Sequence, residues 1–428
     1  MCGSAHCLLG FRRSHPAQVQ TGVNMKLLRA AFVAAVSLPV PAQAFWILQD
    51  STDGVARLPA PAAVPHALIF PGDPGFVEMA TMELALPDGV VQFVQAHARR
   101  RVDGASWHGH AGGQPEGQVH LTLHKGMLAG LVSLQEATYE VVPVDVGHSR
   151  LQRVDHAMYP PCSGGLHAGE DLEASPAQAV TGSDAAFRDR QDDIDVLIVY
   201  TAAAREGAGG TAQIEATAQA AVDNANASFT NSLMLPRFNL VGAYEVEYEE
   251  TGSGSPALGW LRDSKAITAL RDKVYADMVS LFIETDPNGC GVGYVLNSLN
   301  PAFERSAVQV TVRSCAVGNL TYAHEHGHNM GMLHNPESAG SSNLAPDAYG
   351  HWDNSGPTTT ERFRTVLSYA CPSGPSCSRR MYFSNPDVSY MGRPTGIPDE
   401  RNNARVGNYT SQLIANFRIK TIMRHGFD

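Results

Sequence analysis

The stretch from Tyr322 to His334, YAHEHGHNMGMLH, constrains this chain more than any other. His324 and His328 are four residues apart, so on an α-helix they stand one turn above each other on one face, where two imidazoles can share a metal ion. Glu325 sits beside the first of them. That offset suits a carboxylate that touches the water next to the metal rather than the metal itself, as a general base must. Gly331 follows three residues after His328 and can take the positive φ that ends a helix and turns the chain back. His334 then brings a third nitrogen, and three neutral imidazoles leave one position open, the mark of a catalytic rather than a structural zinc site. A bare His-Glu-x-x-His pair occurs by chance in many helices. The longer pattern adds a glycine and a third histidine, each with its own chemical reason.

HEHGHNMGMLH matches the extended signature of the metzincin metallopeptidases, and the chain resembles their bacterial reprolysin-like branch, which includes the peptidyl-Asp metallopeptidases. The match continues at Ile194–Tyr200 in front, and at Arg380–Asp387, Asn403–Asn408 and a closing helix to about Lys420 behind. The resemblance implies an α/β (α+β) catalytic domain with a mixed, twisted sheet and a long active-site helix, preceded by a compact β-rich pro-domain. It also implies one catalytic Zn²⁺ on His324, His328 and His334, with Glu325 as the base, and protein or peptide substrates. Two positions depart from the pattern. Asn335 stands where the branch usually has Asp, and can still give and accept hydrogen bonds. Leu367, in Arg364–Tyr369, stands where the Met-turn has its methionine; that residue is an apolar floor, and leucine is close to it in volume. Tyr369 matches a tyrosine that in some metzincins donates to the oxyanion, with a core aromatic as the plainer reading. Arg379 and Arg380 fall where metzincins wall a substrate pocket, so they either favour an acidic side chain or are surface arginines.

With 428 residues, 43% of them hydrophobic and 17% charged, the chain is long enough for two domains with cores of their own. A net charge of -11 argues against nucleic acid as the main partner, since no broad basic surface is implied. Met25–Ala44 has a basic start at Lys26 and Arg29, an apolar run and Ala42-Gln43-Ala44, the form of a secretory signal peptide cleaved after Ala44. Pro39 and Pro41 interrupt the run, so it is no membrane span, and residues 1–24 read as an upstream extension. Export to the outside of a bacterium makes disulfides permissible. Of the five cysteines that then remain, Cys371 and Cys377 bracket a tight loop and are expected to pair, which leaves Cys290 with Cys315 and Cys162 alone.

Residues 45–191 read as the β-rich pro-domain and linker, and 192–428 as the catalytic domain. Val90–Gln95, Gln118–His124, Leu128–Gln135 and Tyr139–Val144 have strand character, with a hairpin turn at Gly126. His120 and His124 share a strand face but lack a third ligand, which favours ordinary surface histidines. Cys162, on a proline-stiffened loop, is either a thiolate that closes the open zinc position, or a free or intermolecularly paired thiol. Glu170–Gln191 reads as the linker. In the second domain Ile194–Tyr200, Phe238–Tyr248, Asp277–Ile283 and Ala307–Val312 read as strands, Thr211–Ser232 and Ala257–Tyr275 as helices. By the resemblance, Ala307–Val312 is the exposed edge that pairs with substrate. The reading is a secreted zinc endopeptidase made as a precursor. A catalytically degenerate binding module and a zinc amidase acting on a non-protein substrate such as peptidoglycan remain the alternatives. Nothing in the sequence specifies a calcium site or an oligomeric state.

Overall fold

The computed structural model describes residues 43–49, 66–69, 74–114, 116–167, 193–340, 342, 344–372 and 377–419. The upstream extension and the signal segment lie outside these apart from Gln43 and Ala44, and so does the expected linker, Glu170–Gln191.

The β-rich half closes on itself. Nine strands, β1 (Gln43–Gln49), β2 (His66–Ile69), β3 (Thr81–Leu86), β4 (Gly89–Arg101), β5 (Gly104–Ala111), β6 (Gln118–His124), β7 (Met127–Ser133), β8 (Thr138–Asp145) and β9 (His148–Val154), form a barrel in the order β1-β2-β9-β8-β7-β6-β5-β4-β3. Alternate residues point inward, so Met82, Leu84, Phe93, Trp107, Leu121 and Tyr139 fill the interior. The Trp107 indole N–H is satisfied by the carbonyl of Met79 at 2.9 Å. Between β6 and β7 the expected hairpin turn has Lys125 at φ 48° and Gly126 at φ 80°, the two positive angles of a type I′ turn.

The second half is a mixed sheet. It contains β10 (Gly165–His167), β11 (Asp193–Tyr200), β12 (Arg237–Glu245), β13 (Met278–Ile283), β14 (Gly291–Val295) and β15 (Val308–Val312), in the order β10-β14-β15-β13-β11-β12. The β11–β13 and β13–β15 pairs are parallel, and β14 runs antiparallel to β15. After α1 (Ala202–Ala208) comes α2 (Thr211–Asn231), which buries the expected side of Ile214, Ala218, Ala221, Ala225 and Phe229 and also Ala216, Ala220, Asn224 and Ala227. Such burial follows from its place between sheet and barrel, and small residues permit close approach on both sides. Across the barrel contact, Asp223 accepts from Thr122 Oγ1 at 2.6 Å and pairs with Arg101.

Four expectations need correction. Ala257–Tyr275 is two helices, α3 (Gly254–Asp263) and α4 (Lys265–Val274), because Ser264 at φ -69°, ψ 117° breaks the run and caps the second helix by accepting from Ile267 N–H. The motif helix, α5 (Thr321–Asn329), is nine residues rather than long. The last helix, α6 (Asn403–Ile414), begins at Asn403 and ends six residues before Lys420. Finally, β15 is not an edge: β14 lies outside it, and β14 is covered in turn by β10, whose Gly165, Leu166 and His167 run parallel to Gly293, Tyr294 and Val295. A Gly-rich pentapeptide gives little strand signal in sequence, which is why GVGYV was passed over.

Between α5 and α6 the chain is mostly irregular, with short strands β16 (Trp352–Asp353), β17 (Phe363–Arg364) and β18 (Ser378–Arg379). Disulfides join Cys290 to Cys315 and Cys371 to Cys377, as expected, and Cys162 is free and buried. No helix among the described residues is long and apolar enough to cross a membrane.

Candidate metal centre

Helix α5 is short because both its ends are set by left-handed residues. Leu320, at φ 56°, starts it, and Gly331, at φ 85°, turns the chain away after it. A Cβ on Gly331 would stand 2.4 Å from Leu344 Cδ2 and 3.0 Å from the Leu296 carbonyl, so the turn needs glycine for space as well as for angle. That turn brings His334 back beneath α5. His334 Nε2 lies 3.1 Å from His324 Nε2 and 3.0 Å from His328 Nε2. The outer nitrogens are held by carbonyls: His324 Nδ1 donates to Val366 O at 2.8 Å, and His328 Nδ1 to Met332 O at 2.9 Å. With the proton on Nδ1, the Nε2 lone pairs face the common centre.

These nitrogens fit a metal. Tetrahedral coordination at about 2.0–2.1 Å places nitrogens roughly 3.3 Å apart, close to the spacing found. All three rings are buried, and burial holds their pKa values down, His328 to about 4 and His324 and His334 well below the usual histidine value; neighbouring histidines and Arg379 push His324 and His334 the same way. Neutral imidazoles are the form a metal needs. The sulfur of Cys162 lies at the same point: its Sγ is 4.0 Å from His328 Nε2, and the three nitrogens and the sulfur lie within 4.8 Å of one another, a group that could hold a metal ion. Among the described residues this is the only such group, and His120 and His124 take no part in it.

Glu325 stands at the same centre. It is fully buried, no nitrogen or oxygen donor meets its carboxylate, and the Cys162 thiol is the polar group that faces it. Burial pushes its carboxyl up to about 8, and the Cys162 thiol and the Arg379 guanidinium pull it part of the way back. Space for it comes from β14, where a Cβ on Gly291 would stand 2.8 Å from Glu325 Cγ. The opposite side of α5 is anchored to the sheet: His326 Nε2 meets Ser280 Oγ at 2.7 Å, and Asn329 Nδ2 donates to Tyr294 O at 2.9 Å and Val308 O at 3.0 Å. His326 is thus a core histidine.

Leu367, fully buried, fills the floor, and a Cβ on Gly327 would stand 2.6 Å from Leu367 Cδ2. Asn335 ties the third histidine's segment to that floor by accepting from Tyr369 N–H at 2.9 Å and Ser368 Oγ at 3.2 Å. The Tyr369 ring lies 4.0 Å from that of His334, and its hydroxyl donates to the Cys162 carbonyl at 2.9 Å. Arg379 and Arg380, treated alike in the sequence, part company. Arg379 faces the centre, donating to Asn319 O at 2.8 Å and Ser368 O at 3.4 Å. Arg380 faces the barrel, donating to Leu134 O at 2.7 Å and Gln135 O at 2.9 Å, so it is neither a surface arginine nor part of the centre. Arg364 and His156, both buried near Arg379, gave no signal in sequence because nothing local marks them.

The model of metallo-peptidase family M12 matches residues 190–384. The chain is similar to a peptidyl-Asp metalloendopeptidase of Stenotrophomonas maltophilia, 32% identical over 56% of this chain and 55% of that protein. Another, from Xanthomonas campestris pv. campestris, is 30% identical over 68% of this chain and 67% of the relative. The match thus spans only about half the length of the Stenotrophomonas relative. Among solved structures, metalloproteinase-II from Bacteroides fragilis is 10% identical with a TM-score of 0.36, covering 59% of this chain and 81% of that one, a likeness too loose to decide anything. Matched across two thirds of the Xanthomonas protein as well as by the family model, the chain belongs to metallo-peptidase family M12.

Proposed function

We propose that this chain is a secreted zinc endopeptidase made as a latent precursor, with His324, His328 and His334 holding Zn²⁺. The observation that carries the reading is the convergence of His324 and His328 Nε2 on His334 Nε2, at 3.1 and 3.0 Å, beside the buried carboxylate of Glu325. When bound there, zinc supplies Lewis acidity toward a peptide carbonyl and toward water. Glu325 takes the proton of the attacking water and passes it to the leaving amine; once the Cys162 thiol has moved away, no other protein donor holds its oxygens. Tyr369 already donates to one peptide carbonyl, that of Cys162, and in the open enzyme its hydroxyl holds the substrate oxygen as negative charge builds. Extended substrate pairs with β14, the strand that lines Glu325.

In the precursor these positions are taken by the chain itself. Pro161 O accepts from Cys290 N–H at 3.2 Å, Ser163 N–H donates to Gly291 O at 2.9 Å, and β10 continues along β14. Between them Cys162 points its sulfur at the three histidines, where a thiolate would fill the fourth position on zinc. Residues 45–191, the barrel after Ala44 with the segment and linker behind it, are then a pro-domain, and cutting within Glu170–Gln191 frees the site. The signal segment Met25–Ala44 supports export. The relatives' names support a preference for acidic residues at the cleavage site.

Digestion of a proteome-derived peptide mixture, with and without chelator, tests the reading. Cut peptides are expected with zinc, none after chelation, and none from Glu325→Ala even though it still binds zinc. Intact peptides but cleaved peptidoglycan would point to the amidase instead.

A further inference from the structure

We propose that one cross-strand row of the barrel, running from His97 through His108, His120 and Leu131 to Glu140, is an acid-sensitive seam: it holds the barrel on α2 at neutral pH, and proton uptake by His108 and His120 lifts the barrel away in acid. What the seam controls rests on the precursor reading; that it opens does not.

The row follows from register. His97 stands opposite His108, His108 opposite His120, His120 opposite Leu131, and Leu131 opposite Glu140, so β4 to β8 each place one residue on a single line. Directly paired residues point to the same face of a sheet. Here that face is the outer one, because the interior takes the alternate residues Trp107, Leu121, Val132 and Tyr139.

The far part of the line lies under the other half of the chain. His120 is 6% exposed, Leu131 1% and Glu140 7%. On the same face of β6, Gln118 accepts from Asn231 at 2.8 Å and Thr122 donates to Asp223 at 2.6 Å, which puts His120 between two attachments to α2. Leu131, with Met127 and Ala129, belongs to the hydrophobic core of the mixed-sheet half. Glu140 reaches Gly318, three residues before α5, where an added Cβ would stand 2.4 Å from its Oε2.

The rings of His108 and His120 stack at 3.9 Å, and the His110 ring lies 5.0 Å from that of His108. His108 Nε2 is buried without a partner, and His120 Nε2 meets the Gln118 amide oxygen at 3.4 Å. The acids of α2 on this face are engaged: Asp223 with Arg101, Thr122 and Gln219, and Glu215 with Lys125 and His124. Tyr382, from the segment after β18, meets Gln118 through its hydroxyl. Stacked imidazoles tolerate each other when both are neutral, and a proton on either is a buried charge beside another histidine. Burial, then the neighbouring histidines, hold both below the usual histidine value, His108 at about 4. Opening the seam returns water to the rings, so acid favours the open form.

Glu140 works against this. Burial raises it to about 7 despite Arg313 and Arg150, so the closed form keeps a proton there that the open form releases. His124, lowered by burial, takes the side of the histidines, and Asp223, raised by burial, takes that of Glu140. From pH 6.5 to 5 His108 and His120 each contribute up to about thirtyfold toward opening, and from pH 7 to 5 Glu140 takes back up to about a hundredfold, which leaves about tenfold in favour of opening.

Hydroxyl-radical footprinting at pH 7 and pH 5 tests the seam, on the full chain carrying Glu325→Ala to prevent self-cleavage. Met127 and Leu131 report the seam, Trp107 and Phe93 the barrel interior, and Phe282 the sheet core. Acid is expected to raise labelling of Met127 and Leu131 about tenfold and to leave the other three protected. His120→Gln and His108→Gln are each expected to flatten the rise, and Glu140→Gln to steepen it. Absence of a rise, an equal rise in both histidine variants, or labelling of Trp107 along with Met127 overturns the proposal. If His120→Gln does not fold, His108→Gln decides alone. A native chain that cuts a reporter peptide at pH 7 without delay overturns the precursor reading, and the footprint still decides the seam.

Discussion

At the scale of single residues, the candidate centre depends on contacts too close for substitution. Gly327 leaves no room above Leu367: a Cβ would meet Cδ2 at 2.6 Å and Cδ1 at 3.4 Å. Gly327→Ala is expected to cost about 1–3 kcal/mol through overpacking, and a second change, Leu367→Val, to recover part of it. Leu367→Met, nearly volume-conserving, is expected to cost under about 1.5 kcal/mol. Chemical denaturation with zinc counted per chain checks all three, and the smaller penalty falling on Gly327→Ala would show that the floor is not packed as described. Leu367 and Asn335 were the two departures from the family pattern, and both are accommodated. Asn335 spends its Oδ1 on two donors, and its Nδ2 on Glu337 and Ser338 at 3.0 and 3.1 Å, so the amide is used at both ends.

At the scale of elements, the barrel wall contains a pH-dependent row. His97, His108 and His120 stand opposite one another across β4, β5 and β6, and the rings of His108 and His120 stack at 3.9 Å. Burial, then His110 and His97, hold His108 down to about 4; burial, then His108 and His110, hold His120 well below 6.5. A histidine held low binds fewer protons folded than unfolded, so stability falls as pH drops from 6.5 toward about 4. Glu140, raised to about 7 chiefly by burial, works the other way and loses its contribution as pH rises from 4.5 to about 7. Thermal unfolding across that range is expected to show a net loss toward acid, reduced in His120→Gln; an equal loss in that variant would remove the row as its source.

Sequence pattern revealed much at this scale and missed specific things. Apolar runs such as IDVLIVY and the periodicity of α2 announce themselves because burial is nearly complete along them. The motif pointed to His324, Glu325 and His328 through helix spacing and to His334 through the Gly331 turn, and both are local properties. Local pattern could not show that β10 would lie on β14, since three residues acquire strand geometry only from the partner they meet. Nor could it separate Arg379 from Arg380, adjacent residues whose guanidiniums go to Asn319 and Ser368 in one case and to the barrel in the other.

At the scale of the whole molecule, the crossing segment, which runs from the barrel through Cys162 to β10, lies along β14 with its sulfur at the centre. Cys162→Ala is expected to shorten the lag before the precursor cleaves itself or a reporter peptide without abolishing it, because the sulfur is removed from the histidines while Tyr369 and β14 keep their bonds to the segment. Latency equal to that of the native chain, measured as the lag before peptide cleavage, would remove the thiol from the proposal. Arg380 ties the mixed-sheet half to the barrel through Leu134 and Gln135, and Asn231 does so through Gln118 at 2.8 Å.

The crossing segment has one further consequence, which concerns concentration. On the precursor reading, while that segment and the sheet belong to one unbroken chain their contacts are intramolecular, and closure does not depend on how dilute the protein is. A single cut between residues 167 and 193 makes the same contacts bimolecular. From then on their occupancy follows an ordinary dissociation constant, so release is governed by the volume into which the cut protein diffuses: confined, it stays closed, and dispersed, it opens.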